Sequence, residues 1–173
     1  MPPPLRGDDD ILIYGFPGLS EKDAARVDAA NRLSAVVCHI CRLPIRCHVP
    51  WVIENPLTSR LWQVPEVKLL TGHALVQLCR YDFCAWGAPW RKATRLLSYC
   101  MPELHAAAVH CNSTGGICSF SRKPLFILQG SDSAGVFWTA RSEPYPPRLC
   151  SCWAKHIRSS IVENHLQKIS AHK

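Results

Sequence analysis

The feature that most limits the fold of this chain is a long segment with helical spacing of apolar residues, followed directly by a short apolar strand. Apolar residues recur at helical spacing over 21–43, and Ser20 with acids just after it predicts the N-cap. Pro44 predicts the end of the helix, because proline has no backbone N–H to donate. The β-prone run VPWVI follows at 49–53 and stops at Asn55–Pro56. A helix followed by a buried strand indicates an α/β protein.

The rest of the chain continues this alternation. A short helix is predicted within SRLWQVPEVKLLTG, further strands at 73–81 and 95–99, and a loop or hairpin at 111–124. The predicted closing helix carries on or near one face the apolar residues Leu149, Trp153, Ile157, Ile161 and Leu166. Strands separated by helices predict α/β layers, in which ligands bind at the carboxyl ends of the strands. Glu54 lies at such an end, and the alternative is that it only terminates the strand before a turn at Asn55–Pro56.

Composition indicates a folded chain with a basic surface. With 173 residues, 47% hydrophobic and 19% charged, the chain suits one globular domain. The formal net charge of +7 and a pI near 9.0 favour a polyanionic partner such as nucleic acid, and a solvated basic surface is the alternative. The basic residues are scattered, and their densest run is Arg91, Lys92 and Arg95.

The ten cysteines are predicted to be reduced, because no N-terminal apolar signal segment precedes them. An intracellular location is therefore expected, the nucleus included if the source is eukaryotic. No apolar run approaches the roughly 18 residues that span a bilayer, so the sequence predicts a soluble protein without a membrane partner.

Metal and cofactor motifs are weak. Cys38, Cys41, Cys47 and His48 have zinc-like spacing, but Cys38 and Cys41 belong to the apolar face of the first helix. Cys111 and Cys118, which flank NSTGGI, are weak metal candidates, with structural pairing or no ligation as alternatives. Neither a glycine-rich phosphate-binding loop nor a glycine-flanked nucleophile is present.

Several segments, taken in order, resemble one family. They are PPPLRGDDDILIYGFPGLSEKDAARVDAANRL, WVIENPLTSRLW, DFCAWGAPWRKATRLL, GICSFSRKP, LQG and EPYPPRLCSCWA. Together they resemble the later part of divergent cytosine-5 DNA methyltransferase-like proteins of phages, mobile elements and protists. Each motif is short, and the resemblance rests on their order over nearly all the chain. It implies a partial Rossmann-like sheet, of the S-adenosylmethionine-dependent methyltransferase type, with flanking helices.

The resemblance also assigns residues. Glu54 and Asn55 fall on the family's Glu-Asn pair, whose acid contacts the ring nitrogen and exocyclic amine of a flipped cytosine. GAPWRKATR resembles the loop that lines the same pocket, which makes Arg91, Lys92, Thr94 and Arg95 the expected nucleic-acid contacts. Lys92 and Thr94 stand where the family commonly has arginines.

The family's nucleophile and cofactor site are not recognised in this sequence. Gly15-Phe-Pro-Gly18 resembles the family's Gly-Phe-Pro-Cys form, with Gly18 in place of the thiol. The resemblance thus implies an N-terminally truncated domain, with a loop at 1–20, a methyltransferase-like portion at 21–169 and a tail at 170–173. Its missing half would be supplied by another segment or a second chain.

Three functions follow as competing hypotheses. The first is a methyltransferase-like domain that recognises a base and is inactive as an isolated chain, with S-adenosylmethionine bound in the full-length family and no cofactor expected here. The second is a basic nucleic-acid-binding module or degenerate mobile-element product that uses DNA as partner. The third is a small zinc-binding interaction protein.

Overall fold

A computed structural model describes the backbone of residues 4–170 and the side chains of residues 4–163. Its α-helices are α1 (Glu21–Arg46), α2 (Pro65–Thr71), α3 (Pro102–Ala106), α4 (Trp138–Arg141) and α5 (Pro147–Ser170). Its strands are β1 (Trp51–Pro56), β2 (Val76–Asp82) and β3 (Ala93–Tyr99). Three short 3₁₀ helices occupy Leu12–Tyr14, Arg60–Gln63 and Phe83–Trp86. Residues 171–173 of the predicted tail lie outside the described part of the chain, as do the first three residues.

Helix α1 begins where the sequence predicts and ends later. The Ser20 hydroxyl accepts a hydrogen bond from the backbone N–H of Asp23, which makes Ser20 the N-cap. The predicted end before Pro44 is wrong, because the helix continues to Arg46 with Pro44 in its last turn. A proline near the end of a helix removes one hydrogen bond without preventing a final turn, which here closes through Cys47 N–H to the Leu43 carbonyl at 3.3 Å.

Within the described residues, the strands form one three-stranded sheet in the order β1–β3–β2. β3 pairs antiparallel with both neighbours, so β1 and β2 run parallel to each other, connected through α2. The predicted α/β class with flanking helices is confirmed. The finer expectation of a Rossmann-like sheet is not, because such a sheet is built from adjacent parallel strands and every hydrogen-bonded pair here is antiparallel.

The sheet is covered on both faces, and the pleat decides which residue faces which layer. Ile53, Leu97 and Tyr99 pack with Cys38 and Cys41 of α1 and with the buried residues of α2. The opposite face is formed by Val52, Cys79, Tyr81 and Leu96, which pack against α3 and α5.

The predicted apolar face of the closing helix is confirmed in its first half only. Leu149, Trp153 and Ile157 pack in the second core, whereas Ile161 is 52% exposed. The predicted contribution of Leu166 lies outside the described side chains.

The segment 107–137 connects α3 to α4 without a helix or strand of its own, in agreement with the loop or hairpin predicted at 111–124. Isolated bridges join Thr114 to Ile117 and Ile117 to Pro124. Cys111 and Cys118 are the buried residues of this segment. No helix in the described part of the chain has the length and apolar character needed to cross a membrane.

Candidate functional site

Glu54 lies near the end of β1 and receives hydrogen bonds from two hydroxyls. The Thr94 hydroxyl donates to one carboxylate oxygen, and it also lies 3.1 Å from the backbone carbonyl of Asn55. The Tyr145 hydroxyl donates to the other carboxylate oxygen at 2.5 Å. The Glu54 carboxylate is therefore held by one donor on each oxygen.

Strand pairing brings the first of these donors to Glu54. Thr94 lies opposite Pro56, and Glu54 lies opposite Leu96, so Glu54 and Thr94 are diagonal neighbours on one face of the antiparallel pair. This is the face covered by α5. The sequence predicted both residues but not the hydrogen bond between them.

Tyr145 comes from the proline-rich turn before α5, and aromatic contacts fix its position. Its ring centroid lies 5.4 Å from that of Phe83 and 5.5 Å from that of Trp153. Burial raises the pKa of Tyr145 above its usual value, and the hydrogen bond to Glu54 and that residue's charge raise it further. The phenol therefore stays a neutral donor at physiological pH.

Lys92 lies beside the same aromatic group. Its Nζ atom donates to the Ser142 carbonyl at 2.7 Å and lies 5.2 Å from the centroid of the Phe83 ring. The cation is thus held by a carbonyl and by the face of Phe83, a ring that also contacts Tyr145.

The structure places Asn55 and Arg95 on the other face of the sheet. The two residues are paired across β1 and β3, and the Arg95 guanidinium carbon lies 5.5 Å from the centroid of the Trp62 ring. Glu54 and Asn55 both border a cleft of about 390 Å³ between α1 and β1, which also has Arg6 and Arg60 in its wall. The side chains of the predicted pair nevertheless point to opposite faces, because successive strand residues alternate and the Glu54 carboxylate meets Thr94 and Tyr145.

Arg91 belongs to neither group. Its Nη1 atom donates to the Ser113 hydroxyl at 3.1 Å, and its Nε atom lies 4.0 Å from a carboxylate oxygen of Asp82. Asp82 is fully buried, binds Arg80 through both oxygens at 2.8 and 3.0 Å and accepts the backbone N–H of Cys111 at 2.7 Å. Asp82 thus fastens the irregular segment to the end of β2.

The weak metal candidates Cys111 and Cys118 are adjacent to a third cysteine that the sequence analysis missed. The sulfur atoms of Cys84, Cys111 and Cys118 all lie within 4.8 Å of one another, and all three residues are buried. Burial opposes ionisation of Cys118, but hydrogen bonds from Ser121 and Phe120 lower its pKa to about 7. Burial raises the pKa of Cys84.

Sequence signals for the missed residues were present but indirect. Tyr145 and Cys84 both belong to segments that carry the family resemblance, EPYPPRLCSCWA and DFCAWGAPWRKATRLL. Their roles depend on contacts between distant segments, which spacing along one chain does not specify. Cys38 and Cys41 are core residues, as their position on the helix predicted.

The chain matches no protein-family model, and comparisons with curated proteins and with solved structures give no significant match.

Proposed function

We propose that Glu54, Thr94 and Tyr145 form a base-recognition site in a cytosine-5 DNA methyltransferase-like domain. One observation carries the proposal. Three segments that bear the resemblance are distant in sequence, and one supplies a carboxylate while the other two each supply a hydroxyl that donates to it. WVIENPLTSRLW supplies Glu54, DFCAWGAPWRKATRLL supplies Thr94 and EPYPPRLCSCWA supplies Tyr145.

The chemistry of the site suits a cytosine edge. A carboxylate accepts hydrogen bonds, and cytosine offers its exocyclic amine as a donor and its ring nitrogen as a proton-binding site. Tyr145 is 38% exposed and donates to one oxygen of Glu54, so an incoming amine would replace the phenol as donor there. Buried Thr94 would keep the other oxygen oriented.

Aromatic side chains border this carboxylate. Tyr145 contacts both Phe83 and Trp153, and its exposed ring is the one on which an extruded base would stack, as in enzymes that act on flipped bases. Lys92, held over Phe83, would contact the carbonyl of the base or a neighbouring phosphate after release from Ser142.

The sheet supports a Rossmann-like origin in part. β1, α2 and β2 form a β–α–β unit whose strands run parallel, with the antiparallel strand β3 lying between them. Among the described residues, the edge of β1 away from β3 has no strand partner. We propose that further strands, from another segment or a second chain, pair there to supply a cofactor site for S-adenosylmethionine.

As an isolated chain the protein is proposed not to methylate DNA, because no cysteine has the sequence context of the family's nucleophile. Transfer of label from S-adenosylmethionine to DNA by the purified chain would contradict this.

A second candidate function, DNA binding without base recognition, is favoured by the charge distribution. The net charge is +7, and Lys155 and Arg158 are exposed on α5, where they line an open surface cleft. Cations of this kind bind phosphates without regard to sequence.

Fluorescence anisotropy with matched duplexes separates the two functions. One duplex carries an unpaired cytosine opposite an abasic site, and the other carries thymine at the same position. We expect about tenfold tighter binding of the cytosine duplex, which corresponds to ~1.4 kcal/mol. The substitution Glu54→Gln should abolish the preference.

Glu163→Gln is the matched control, because it removes the same charge from an exposed position on α5. It should leave the cytosine preference intact. Equal affinity for the two duplexes, unchanged in Glu54→Gln and steeply dependent on salt, would overturn base recognition and favour the cationic binding module.

A further inference from the structure

The irregular segment 107–137 has almost no apolar core. Its buried residues are Cys111 and Cys118, which meet Cys84 of the 3₁₀ helix Phe83–Trp86, and Leu125 packs against the three. Three thiols and one leucine bury too little apolar surface to order some thirty residues, given that each ordered residue costs about 1–2 kcal/mol of backbone entropy. The contact of Phe126 with Trp138 and the ion pair of Asp132 with Arg141 lie at the far end of the segment, so the cluster itself has only this small core.

The separation of the sulfur atoms suits a metal ion. The Cys111 and Cys118 sulfurs are 3.9 Å apart, and those of all three cysteines lie within 4.8 Å of one another. A zinc ion that binds thiolates at about 2.3 Å in tetrahedral geometry places them roughly 3.8 Å apart. A disulfide would need about 2.05 Å, so these cysteines are free thiols arranged around a common point.

The surroundings of the sulfur atoms also suit bound thiolates. The backbone N–H of Ser119 donates to Cys111 at 3.3 Å, and that of Ser121 donates to Cys118 at 3.5 Å. The Ser119 hydroxyl lies 3.4 Å from the Cys111 sulfur. Hydrogen bonds of this kind orient metal ligands and offset their negative charge.

The backbone around the cluster is already fixed. Gly115 and Gly116 have φ values of 58° and 76°, and this left-handed turn brings Cys118 back to Cys111. The N–H of Cys111 donates to buried Asp82 at 2.7 Å, which holds that cysteine next to the end of β2 and therefore next to Cys84.

We propose that Cys84, Cys111 and Cys118 bind a zinc ion, which attaches the irregular segment to the end of β2. In the described residues these three thiols are the ionisable donors of the cluster, so the fourth ligand would be water or a small molecule. Leu125 packs against the three thiols. The site is independent of the base-recognition proposal, because Glu54 takes no part in it.

Cobalt and zinc titrations of the full reduced chain test the site. After removal of metal with a chelator, we expect one equivalent of Co²⁺ to give the intense near-ultraviolet absorption of thiolate-to-cobalt charge transfer. One equivalent of Zn²⁺ should abolish it. A folded wild-type chain that gives no such absorption overturns the proposal without any variant.

Cysteine variants assign the ligands. Cys84→Ser, Cys111→Ser and Cys118→Ser should each weaken Co²⁺ binding at least tenfold and reduce the charge-transfer intensity. Cys41→Ser is the matched control, because this thiol is equally buried but lies in α1, outside the cluster. Loss of binding in Cys41→Ser equal to the loss in the cluster variants would contradict the assignment.

A gain-of-ligand variant keeps the test decisive if the cysteine variants do not fold. Leu125→His would place an imidazole beside the three thiols, and we expect at least tenfold tighter Co²⁺ binding with the spectrum of a four-ligand tetrahedral site. Unchanged affinity and spectrum in a folded Leu125→His chain would contradict the proposal. So would a wild-type mass lower by two hydrogens with Cys111 and Cys118 joined, since a disulfide would then explain the cluster.

Discussion

At the scale of single residues, the two hydroxyls on Glu54 differ in exposure, and this difference decides what each contributes. Thr94 is 1% exposed, whereas Tyr145 is 38% exposed. A buried carboxylate oxygen that loses its donor stays unpaired, whereas water can replace a donor at the surface. Thr94 is therefore the residue that orients Glu54, and Tyr145 is the one that a ligand can displace.

Replacement of these hydroxyls tests that division. Thr94→Val keeps the shape of the side chain and should lower the free energy of unfolding by about 1–3 kcal/mol, the usual effect of an unpaired buried polar group. Tyr145→Phe should cost less than about 1 kcal/mol because water reaches its site. Urea denaturation of both variants is the measurement, and a larger effect in Tyr145→Phe would contradict the division.

The family resemblance singled out Glu54 and Thr94, and the structure joins these two residues by a hydrogen bond. The sequence did not predict that Asn55 and Arg95 would face the other layer from them, because the predicted strands covered 49–53 and 95–99, whereas Glu54, Asn55 and Thr94 also belong to strands, in which successive side chains alternate. It also missed Tyr145, whose contact with Glu54 joins residues far apart in the chain. Motifs identify residue types, while strand register and loop packing decide which of them meet.

At the scale of elements, local signals predicted helices and strands well where the pattern was long. The spacing of apolar residues and the Ser20 cap located α1, and β3 extends the strand predicted at 95–99 by two residues at its start. The strand predicted at 73–81 begins later, at Val76. A turn precedes β2, in which the backbone carbonyl of His73 accepts the Val76 N–H. The relative direction of the strands was not encoded in any local pattern.

The cap of α1 gives the prediction at this scale. Ser20 accepts the Asp23 N–H at 3.2 Å at the start of a 26-residue helix, so Ser20→Ala should lower the free energy of unfolding by about 1 kcal/mol. Ser20→Asp should retain most of that stability, because a carboxylate also caps the first turn. Chemical denaturation followed by circular dichroism measures both, and an alanine variant as stable as the wild type would rule out this cap.

At the scale of the whole molecule, buried thiols make the stability of both cores depend on pH. Burial raises the pKa of Cys41 and of Cys79 from the usual value near 9.0 to about 11. Cys41 belongs to the core beneath α1, and Cys79 belongs to the core beneath α5. Both layers of the protein therefore contain a thiol that the fold keeps neutral.

Alkaline pH should destabilise the protein for this reason. A raised pKa in the folded state means that the stability is fully present below about pH 9 and is lost as the pH rises towards 11, because the unfolded chain releases its protons first. Urea midpoints measured across this range should fall. In the double variant Cys41→Ala with Cys79→Ala, the urea midpoint should fall less steeply with pH. A fall as steep as in the wild type would show that these two thiols are not its cause.

The three-layer arrangement unites these scales. Core burial around α1, α5 and the sheet fixes β1 against β3, that pairing aligns Thr94 with Glu54, and the contact of Tyr145 with Phe83 and Trp153 completes the site. The alternation of helices and strands in the sequence predicts the α/β class. The antiparallel position of β3 between β1 and β2 could be seen only in the structure.

The central claim is that the Glu54 carboxylate contacts a cytosine, and isotope-edited NMR of side-chain carboxyl carbons tests it most directly. The Glu54 signal is assigned with Glu54→Gln, and DNA with an unpaired cytosine or an unpaired thymine is then added. The account predicts that cytosine shifts the Glu54 carboxyl signal while thymine leaves it in place. Bound cytosine DNA that leaves the Glu54 signal unchanged would contradict the account.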